Sequence, residues 1–232
     1  MMERLKKDSR GRCWRKVTIY LLVCCLILNT SLPAVLALEA VDMGVNSGVI
    51  STTFGPHTVI DTDHGAIINW NSFDTSTGEI VEFNQFLGGV ESSASAVLNR
   101  IISASPTQFD GALNANGRVF VVNPAGIVFG SGSTVNVAQL VASGLNMSDA
   151  AFNAVLADPA NQMEFEGGNG EVTNHGSINA DKVYLIGTKV MNYMGVFATD
   201  GLMVLAAGDN VYLAQDGSQV LVEVADTGDG TA

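Results

Sequence analysis

Two acidic segments of this 232-residue chain contain residue types that bind calcium in loops. Asp61-Thr62-Asp63-His64-Gly65 begins like a calcium loop, but Ser72 stands where such a loop needs a bidentate Glu. The segment from Gly167 to Val172 is similar to a calcium-binding nonapeptide, yet Val172 occupies the position of its Asp. We therefore interpret the first segment as a turn and the second as a flexible loop, and we predict no metal site and no cofactor.

The histidines and the remaining carboxylates give no arrangement suited to catalysis. His57, His64 and His175 are not at metal-ligand spacing. A glycoside-cleaving site needs paired carboxylates at a defined separation. The carboxylates of the repeat region are instead scattered at predicted corners, at Asp181, Asp200, Asp209 and Asp216. We predict no catalytic residue and no enzyme, and a carbohydrate-active enzyme is the least favoured alternative.

A third segment, VVNPAGIVFG from Val121 to Gly130, interrupts two apolar β-branched runs with Asn-Pro-Ala-Gly. This pattern predicts a type I turn with Asn123 at position i, Pro124 at i+1 and Gly126 at i+3. Ala125 fits position i+2, because a type I turn needs no positive φ there. The segment is either an ordinary turn between strands or a signal that another protein reads.

The N-terminal segment has the pattern of a secretory signal peptide at residues 1–37. A basic region is followed by an apolar run over residues 17–28 and by small residues before a cleavage site after Ala37. The alternative is a transmembrane anchor, but the apolar run is short for a span and is followed by Asn29 and Pro33. We expect cleavage and export through the Sec translocon.

Removal of this segment would leave a strongly acidic chain without cysteine. All three cysteines lie within residues 1–37, as do seven of the eleven Lys and Arg residues. Only Arg100, Arg118, Lys182 and Lys189 would remain, against 21 of the 23 carboxylates. Such a chain lacks the clustered basic residues that contact phosphates, so nucleic acid is excluded as a partner.

Short β-type runs separated by Gly, Asn and Asp dominate the rest of the chain and indicate an all-β protein. Three stretches are similar to one another: residues 132–144, 176–187 and 195–208. A period near twenty residues suits one coil of a β-solenoid, in which Asn174 and Asn192 would stack at equivalent corners. A β-sandwich is the alternative, but its strands usually alternate polar and apolar residues over longer spans.

Two segments depart from this repeat. Residues 44–71 are less periodic and are expected to form an N-terminal cap. Residues 148–170 contain the only helical pattern, SDAAFNAVLAD from Ser148 to Asp158, with Ser148 as its cap and Pro159 as its stop. We expect this second segment to be a short insertion that loops out of the solenoid.

The chain resembles the N-terminal secretion domain of filamentous-haemagglutinin-like proteins, the exported partners of two-partner secretion systems. The matching segments follow one another from about Gly44 to Val211. They include HGAIINWNSFDTSTGEIVEFNQ from His64, LNRI from Leu98, SPTQFDGALNANGRVFVVNPAGIVFG from Ser105 and VNVAQLVASGLNMSDAAF from Val135.

The resemblance implies a right-handed parallel β-helix and a cognate outer-membrane β-barrel transporter whose POTRA domains bind the chain before it folds at the cell surface. It assigns the secretion motif to Asn123, Pro124, Gly126 and Ile127. Further motif positions are Asn69, Trp70, Phe73, Asn84, Gln85, Asn99 and Arg100. The family motif is Asn-Pro-Asn-Gly-Ile, so Ala125 departs from it, and the second family motif, Asn-Pro-Asn-Leu, has no counterpart here.

We therefore expect a signal peptide at 1–37, a secretion domain at 38–225 and a truncated tail at 226–232. Family members normally continue into adhesin, haemolysin or toxin regions, and no such region is visible in this sequence. The alternative to a secretion domain is a stand-alone surface adhesin that binds host cells or glycans.

Overall fold

The structure is a computed structural model that describes residues 38–42, 49–158, 161–216 and 219–225. The expected signal peptide, its cleavage site after Ala37, residues 44–48 of the expected cap, Pro159 and the tail at 226–232 lie outside these ranges. Among the described residues, no helix is long and apolar enough to cross a membrane.

The described residues form short strands and a helix. The first strands are Glu39–Asp42 (β1), Ile50–Phe54 (β2), His57–Asp63 (β3), Ala66–Ser72 (β4), Ile80–Leu87 (β5), Val90–Glu91 (β6), Ala96–Ile101 (β7), Thr107–Phe109 (β8), Ala112–Ala115 (β9), Arg118–Val122 (β10), Ile127–Phe129 (β11) and Thr134–Ser143 (β12). Then follow Asp149–Ala157 (α1), Met163–Glu166 (β13), Glu171–Asn174 (β14), Ser177–Gly187 (β15), Lys189–Asn192 (β16), Val196–Ala207 (β17), Asn210–Asp216 (β18) and Gln219–Ala225 (β19).

Most strands pair in parallel with the strand about twenty residues earlier or later, which is the pattern of a parallel β-helix. A 12-stranded sheet forms two faces of the coil, because β12 pairs with β9 along its first half and with β10 along its second. A parallel four-stranded sheet, β8-β11-β14-β16, forms the third face. The predicted all-β class and parallel β-helix are confirmed.

The three repeat stretches stack on one another as predicted, but one residue away from the register that aligns their first glycines, Gly132, Gly176 and Gly195. Val135 pairs with Ile178, and Ile178 pairs with Val196. At the next corner Asn174 pairs with Asn192, and the Asn174 Nδ2 donates to the Asn192 Oδ1 at 2.8 Å. The predicted stacking of corner amides is therefore confirmed.

The strand β10 shows why these runs are apolar without alternation. Val119 and Val121 point into the core inside the coil, whereas Phe120 and Val122 belong to a second core on the outer face of the sheet. Four of its five residues are buried, so both faces of the strand are covered. A strand that is covered on both faces has no solvent-facing side, so its polar and apolar residues do not alternate.

Aromatic rings form a ladder in the inner core. The Trp70 and Phe73 ring centroids are 5.2 Å apart, Phe73 and Phe109 are 5.9 Å apart, and Phe109 and Phe129 are 6.1 Å apart. All four side chains are at most 2% exposed. Ring contacts at these separations add to the burial of apolar area and fix the stacking of successive coils.

The N-terminal cap is narrower than predicted. β1 and β2 pair antiparallel with β4 and β3, as strands that close the end of a solenoid do. β3 and β4 themselves pair in parallel with β5 and β7, so they already belong to the coils. The prediction of a cap for residues 57–71 was therefore wrong.

The predicted insertion is confirmed, and it also pairs with a strand from the C-terminal part of the chain. α1 begins at Asp149 with Ser148 as its N-cap, whose Oγ accepts from the Ala151 N–H at 3.1 Å. β13 then pairs antiparallel with β18, which pairs antiparallel with β19. The insertion and the C-terminal hairpin together cover the outer core, and we call them the outer layer.

Candidate functional site

The segment after β10 forms the predicted turn. The Gly126 N–H donates to the Asn123 carbonyl at 2.8 Å, which closes a four-residue turn around Pro124 and Ala125. Pro124 and Ala125 are half-buried. Ile127 opens β11, is fully buried in the inner core, and pairs with Thr107 and Val172. The turn therefore carries the chain from one face of the coil to the next.

The Asn123 side chain is fully buried, and both its amide nitrogen and its amide oxygen form hydrogen bonds. Its Nδ2 donates to the Ser105 carbonyl and to the Thr107 Oγ1, both at 3.0 Å. Its Oδ1 accepts from the Ala125 N–H at 2.9 Å. These bonds join the turn to the preceding coil and leave no part of the amide on the surface, since Asn123 is 0% exposed.

A glycine-rich loop covers the turn. Gly126 has a φ of +118°, and a Cβ at that position would lie 3.0 Å from the Glu171 carbonyl. A Cβ on Gly170 would lie 2.5 Å from the Gly126 nitrogen. The Asn169 N–H also donates to the Pro124 carbonyl at 3.3 Å. The segment at residues 167–170 is a loop, as predicted, and its backbone packs directly against the turn.

Four of the other motif residues meet on β4 and β7, next to β10. The Trp70 Nε1 donates to the Asn99 Oδ1 at 3.0 Å, and the Asn99 Nδ2 donates to the Phe120 carbonyl at 3.2 Å. Asn69 pairs with Arg100 in register. Trp70 also touches Phe73, the fifth residue of this group. These side chains join three neighbouring coils beside the strand that leads into the turn.

Arg100 connects this group to the outer layer. Its Nη2 donates to the Met147 carbonyl at 3.0 Å and to the Asp149 Oδ1 at 2.5 Å. Asp149 is in the first turn of α1, where a carboxylate also interacts favourably with the helix dipole. Arg100 therefore fixes the start of the insertion to the sheet.

Asn84 and Gln85 lie at a different corner, on β5. The Asn84 Nδ2 donates to the Asp61 Oδ1 at 2.8 Å on the neighbouring coil. The buried Gln85 donates from its Nε2 to the Arg118 carbonyl at 3.0 Å. Its Oε1 has no hydrogen-bond partner in the described part of the chain. Gln85 therefore reaches the start of β10, and Asn84 reaches β3, whereas the turn follows the end of β10.

Ser105 and Thr107 hold Asn123, and the sequence reasoning assigned neither of them a role. The signal that could have found them is the repeat: Thr107-Gln108-Phe109 and Ile127-Val128-Phe129 are equivalent strands one coil apart. Aligning them places Thr107 directly below the start of β11. Thr107 is therefore within reach of the side chain of Asn123, the first residue of the turn.

The titratable groups of the described residues form no metal centre. No group of three or more His, Cys, Asp and Glu residues is placed to hold an ion within the described ranges. His64 accepts from the Ala96 N–H through Nδ1 at 3.2 Å. Burial, together with the positive charge of Arg118, lowers the pKa of His64 from its usual 6.5. The ring is therefore stabilised in its neutral form, as its acceptor role requires.

The fold and the turn define a class of protein, the parallel β-helix domain that begins with an antiparallel cap and carries an outer layer on one face. The family model of the TPS secretion domain matches residues 44–231. The chain therefore belongs to the TPS secretion domain family, as the resemblance implied.

Individual proteins agree with this assignment. The heme/hemopexin-binding protein of Haemophilus influenzae is 30% identical over an alignment of 216 residues, and the match covers 88% of this chain and 23% of that relative. The crystal structure of the HMW1 secretion domain from Haemophilus influenzae superposes with a TM-score of 0.66 at 28% identity. That match covers 84% of this chain and 50% of the HMW1 chain. This chain thus spans about a quarter of the first relative and half of the second.

Proposed function

We propose that the POTRA domains of a cognate outer-membrane β-barrel transporter bind this secretion domain before it folds, and that Asn123-Pro124-Ala125-Gly126-Ile127 is part of the bound segment. In the same proposal, a signal peptide at residues 1–37 directs Sec export, and the domain at residues 38–225 folds as a β-helix at the cell surface. Family membership supports this route, because TPS exoproteins are secreted to the cell surface or the medium.

The burial of Asn123 is the observation that carries the proposal. In the folded domain its amide has three partners within the chain and is 0% exposed. A partner that reads this side chain can reach it only when the coil has not formed. Recognition of the motif, if it includes Asn123, must therefore precede folding.

A pair of variants separates recognition from stability. Asn123→Ala removes the amide, whereas Thr107→Val removes one of its partners and leaves the motif intact. Each loses buried hydrogen bonds, and each such group left unpaired costs about 1–3 kcal/mol. Each variant is co-expressed with the cognate transporter, and the secreted fraction is compared with the free energy of unfolding of the folded protein.

We expect Asn123→Ala to lower secretion several-fold and Thr107→Val to leave it near the wild-type level. If secretion instead falls in proportion to the lost stability in both variants, the motif is only a corner of the β-helix. A peptide of residues 118–130 provides a test that does not depend on folding. Purified POTRA domains should bind it more tightly than the same peptide with Asn123→Ala.

The proposal for this chain is limited to secretion. The heme/hemopexin-binding protein shares only 23% of its length with this chain, so the name of that relative describes a much longer protein. We therefore do not extend binding of heme or hemopexin to this domain.

A further inference from the structure

A cavity of about 240 Å³ lies between the outer face of the β-helix and the outer layer. One wall consists of residues from β10, β12 and β15, and the other consists of residues from α1, the start of β13 and the β18–β19 hairpin. Pockets for drug-sized ligands are usually about 300–1,000 Å³. This one is therefore of a size for a single small ring.

The β-helix wall carries a polar ladder. Arg118 pairs with Gln139, and Gln139 pairs with Lys182, so the three side chains occupy one register position on successive coils. Neighbouring strands are about 4.8 Å apart. Long side chains on three such strands can therefore converge on one small molecule. All three line the cavity and are half-buried.

Within the described ranges, neither cation of this ladder forms an ion pair. The Arg118 Nε and Nη2 donate to the Ala94 carbonyl at 3.1 and 2.9 Å, and no ion pair joins Arg118 or Lys182 to a described carboxylate. Arg100 and Lys189, by contrast, pair with Asp149 and Glu171. Among the described residues, these two half-buried cations are therefore available to an anion from outside the chain.

The opposite wall is mostly apolar, with Asn161 as its polar residue. Its residues Val155, Met163 and Leu213 are at most 9% exposed, and the β-helix wall adds Tyr184, which is 3% exposed. Burial lowers the pKa of Arg118 and raises that of Tyr184, so both groups are partly shielded from water. A ring could pack against this wall while an anionic group meets the ladder.

We infer that this cavity binds a small carboxylate attached to a single ring, with the carboxylate held by Arg118 and Lys182 and the ring packed against Val155, Met163 and Leu213. Gln139 would donate to the carboxylate or to a ring hydroxyl. An acidic monosaccharide and an aromatic acid both present this chemistry. The inference concerns the folded domain alone and does not depend on recognition by a transporter.

The test uses the folded full chain and two pairs of probes, D-glucuronate with D-glucose and benzoate with benzamide. Saturation-transfer NMR and calorimetry measure binding of each. We expect at least one acid to bind about tenfold more tightly than its neutral partner, since charge-assisted hydrogen bonds are about twice as strong as neutral ones. Preference for glucuronate identifies a sugar acid, and preference for benzoate identifies an aromatic acid.

Lys182→Met and Arg118→Gln should each weaken binding of the acid about tenfold, because each removes one charged donor. Lys189→Met is the matched control, since Lys189 lies outside the cavity and should leave the affinity unchanged. Arg118 also supports the Ala94 loop, so Lys182→Met is the decisive variant if Arg118→Gln does not fold. The inference is overturned if no acid binds at millimolar concentration, if acids and neutral partners bind equally, or if Lys182→Met binds like the wild type.

Discussion

Buried asparagine amides link neighbouring coils by hydrogen bonds. Asn99 satisfies both the Trp70 Nε1 and the Phe120 carbonyl, and Asn123 satisfies the Ser105 carbonyl and the Ala125 N–H. Buried polar groups without partners are costly, and the amide supplies a donor and an acceptor at once. Two of the predicted motif residues therefore have a structural role in the folded domain.

Asn99→Ala should lower the free energy of unfolding by about 1–3 kcal/mol, because it leaves the buried Trp70 indole N–H without the Asn99 acceptor and removes the bond to the Phe120 carbonyl. Urea unfolding measures this change. Asn136→Ala is the control: its Nδ2 donates to the Asn114 Oδ1 at 3.1 Å on the exposed surface, so its loss should change stability by less than about 0.5 kcal/mol. Equal losses in the two variants would contradict the role assigned to Asn99.

At the scale of elements, glycines allow the backbones of three segments to pack directly against one another. A Cβ on Gly144 would lie 2.2 Å from the Gly170 carbonyl oxygen, and a Cβ on Gly170 would lie 2.5 Å from the Gly126 nitrogen. The turn after β10, the end of β12 and the start of β14 therefore meet without side chains between them. This contact places the return of the insertion directly on the turn.

Gly170→Ala should destabilise the domain by about 1–3 kcal/mol, because an added methyl group must displace backbone rather than a movable side chain. Thermal unfolding of the purified chain measures the effect. Gly195→Ala provides the comparison, since its Cβ would meet only the exposed Phe197 ring at 3.4 Å. A Gly170 variant as stable as the Gly195 variant would show that the crossing is not tightly packed.

At the scale of the whole domain, two apolar cores share the same strands. The inner core fills the coil, and the outer core lies between one sheet face and the outer layer, where Phe120 and Phe152 meet at 5.2 Å. The inner core is formed by residues of the coil strands and the aromatic ladder. We infer that the backbone amides of the β-helix can remain protected from hydrogen exchange when the outer layer unfolds.

Phe152→Ala should remove about 3–5 kcal/mol of stability from the outer layer, because Phe152 is fully buried. Hydrogen exchange should then accelerate in residues 149–166 and 210–225, whereas β10 and β15 keep their protection on the inner core. Uniform acceleration over the described chain would instead show that both cores unfold as one unit.

The residue pattern alone determined the all-β class, a helix within residues 148–158, the stacking of Asn174 on Asn192 and the family. Local signals suffice there, because Gly and Asn corners recur about every twenty residues and a Ser cap opens the helix. The sequence did not show that β18 and β19 pair antiparallel in the outer layer, nor where the cap ends. A short apolar run such as β10 has the same pattern whichever elements cover its two faces. Only the tertiary structure shows that Asn123 is buried and that Arg118, Gln139 and Lys182 lie beside one cavity. The burial and the cavity both depend on contacts between segments that are distant in the sequence.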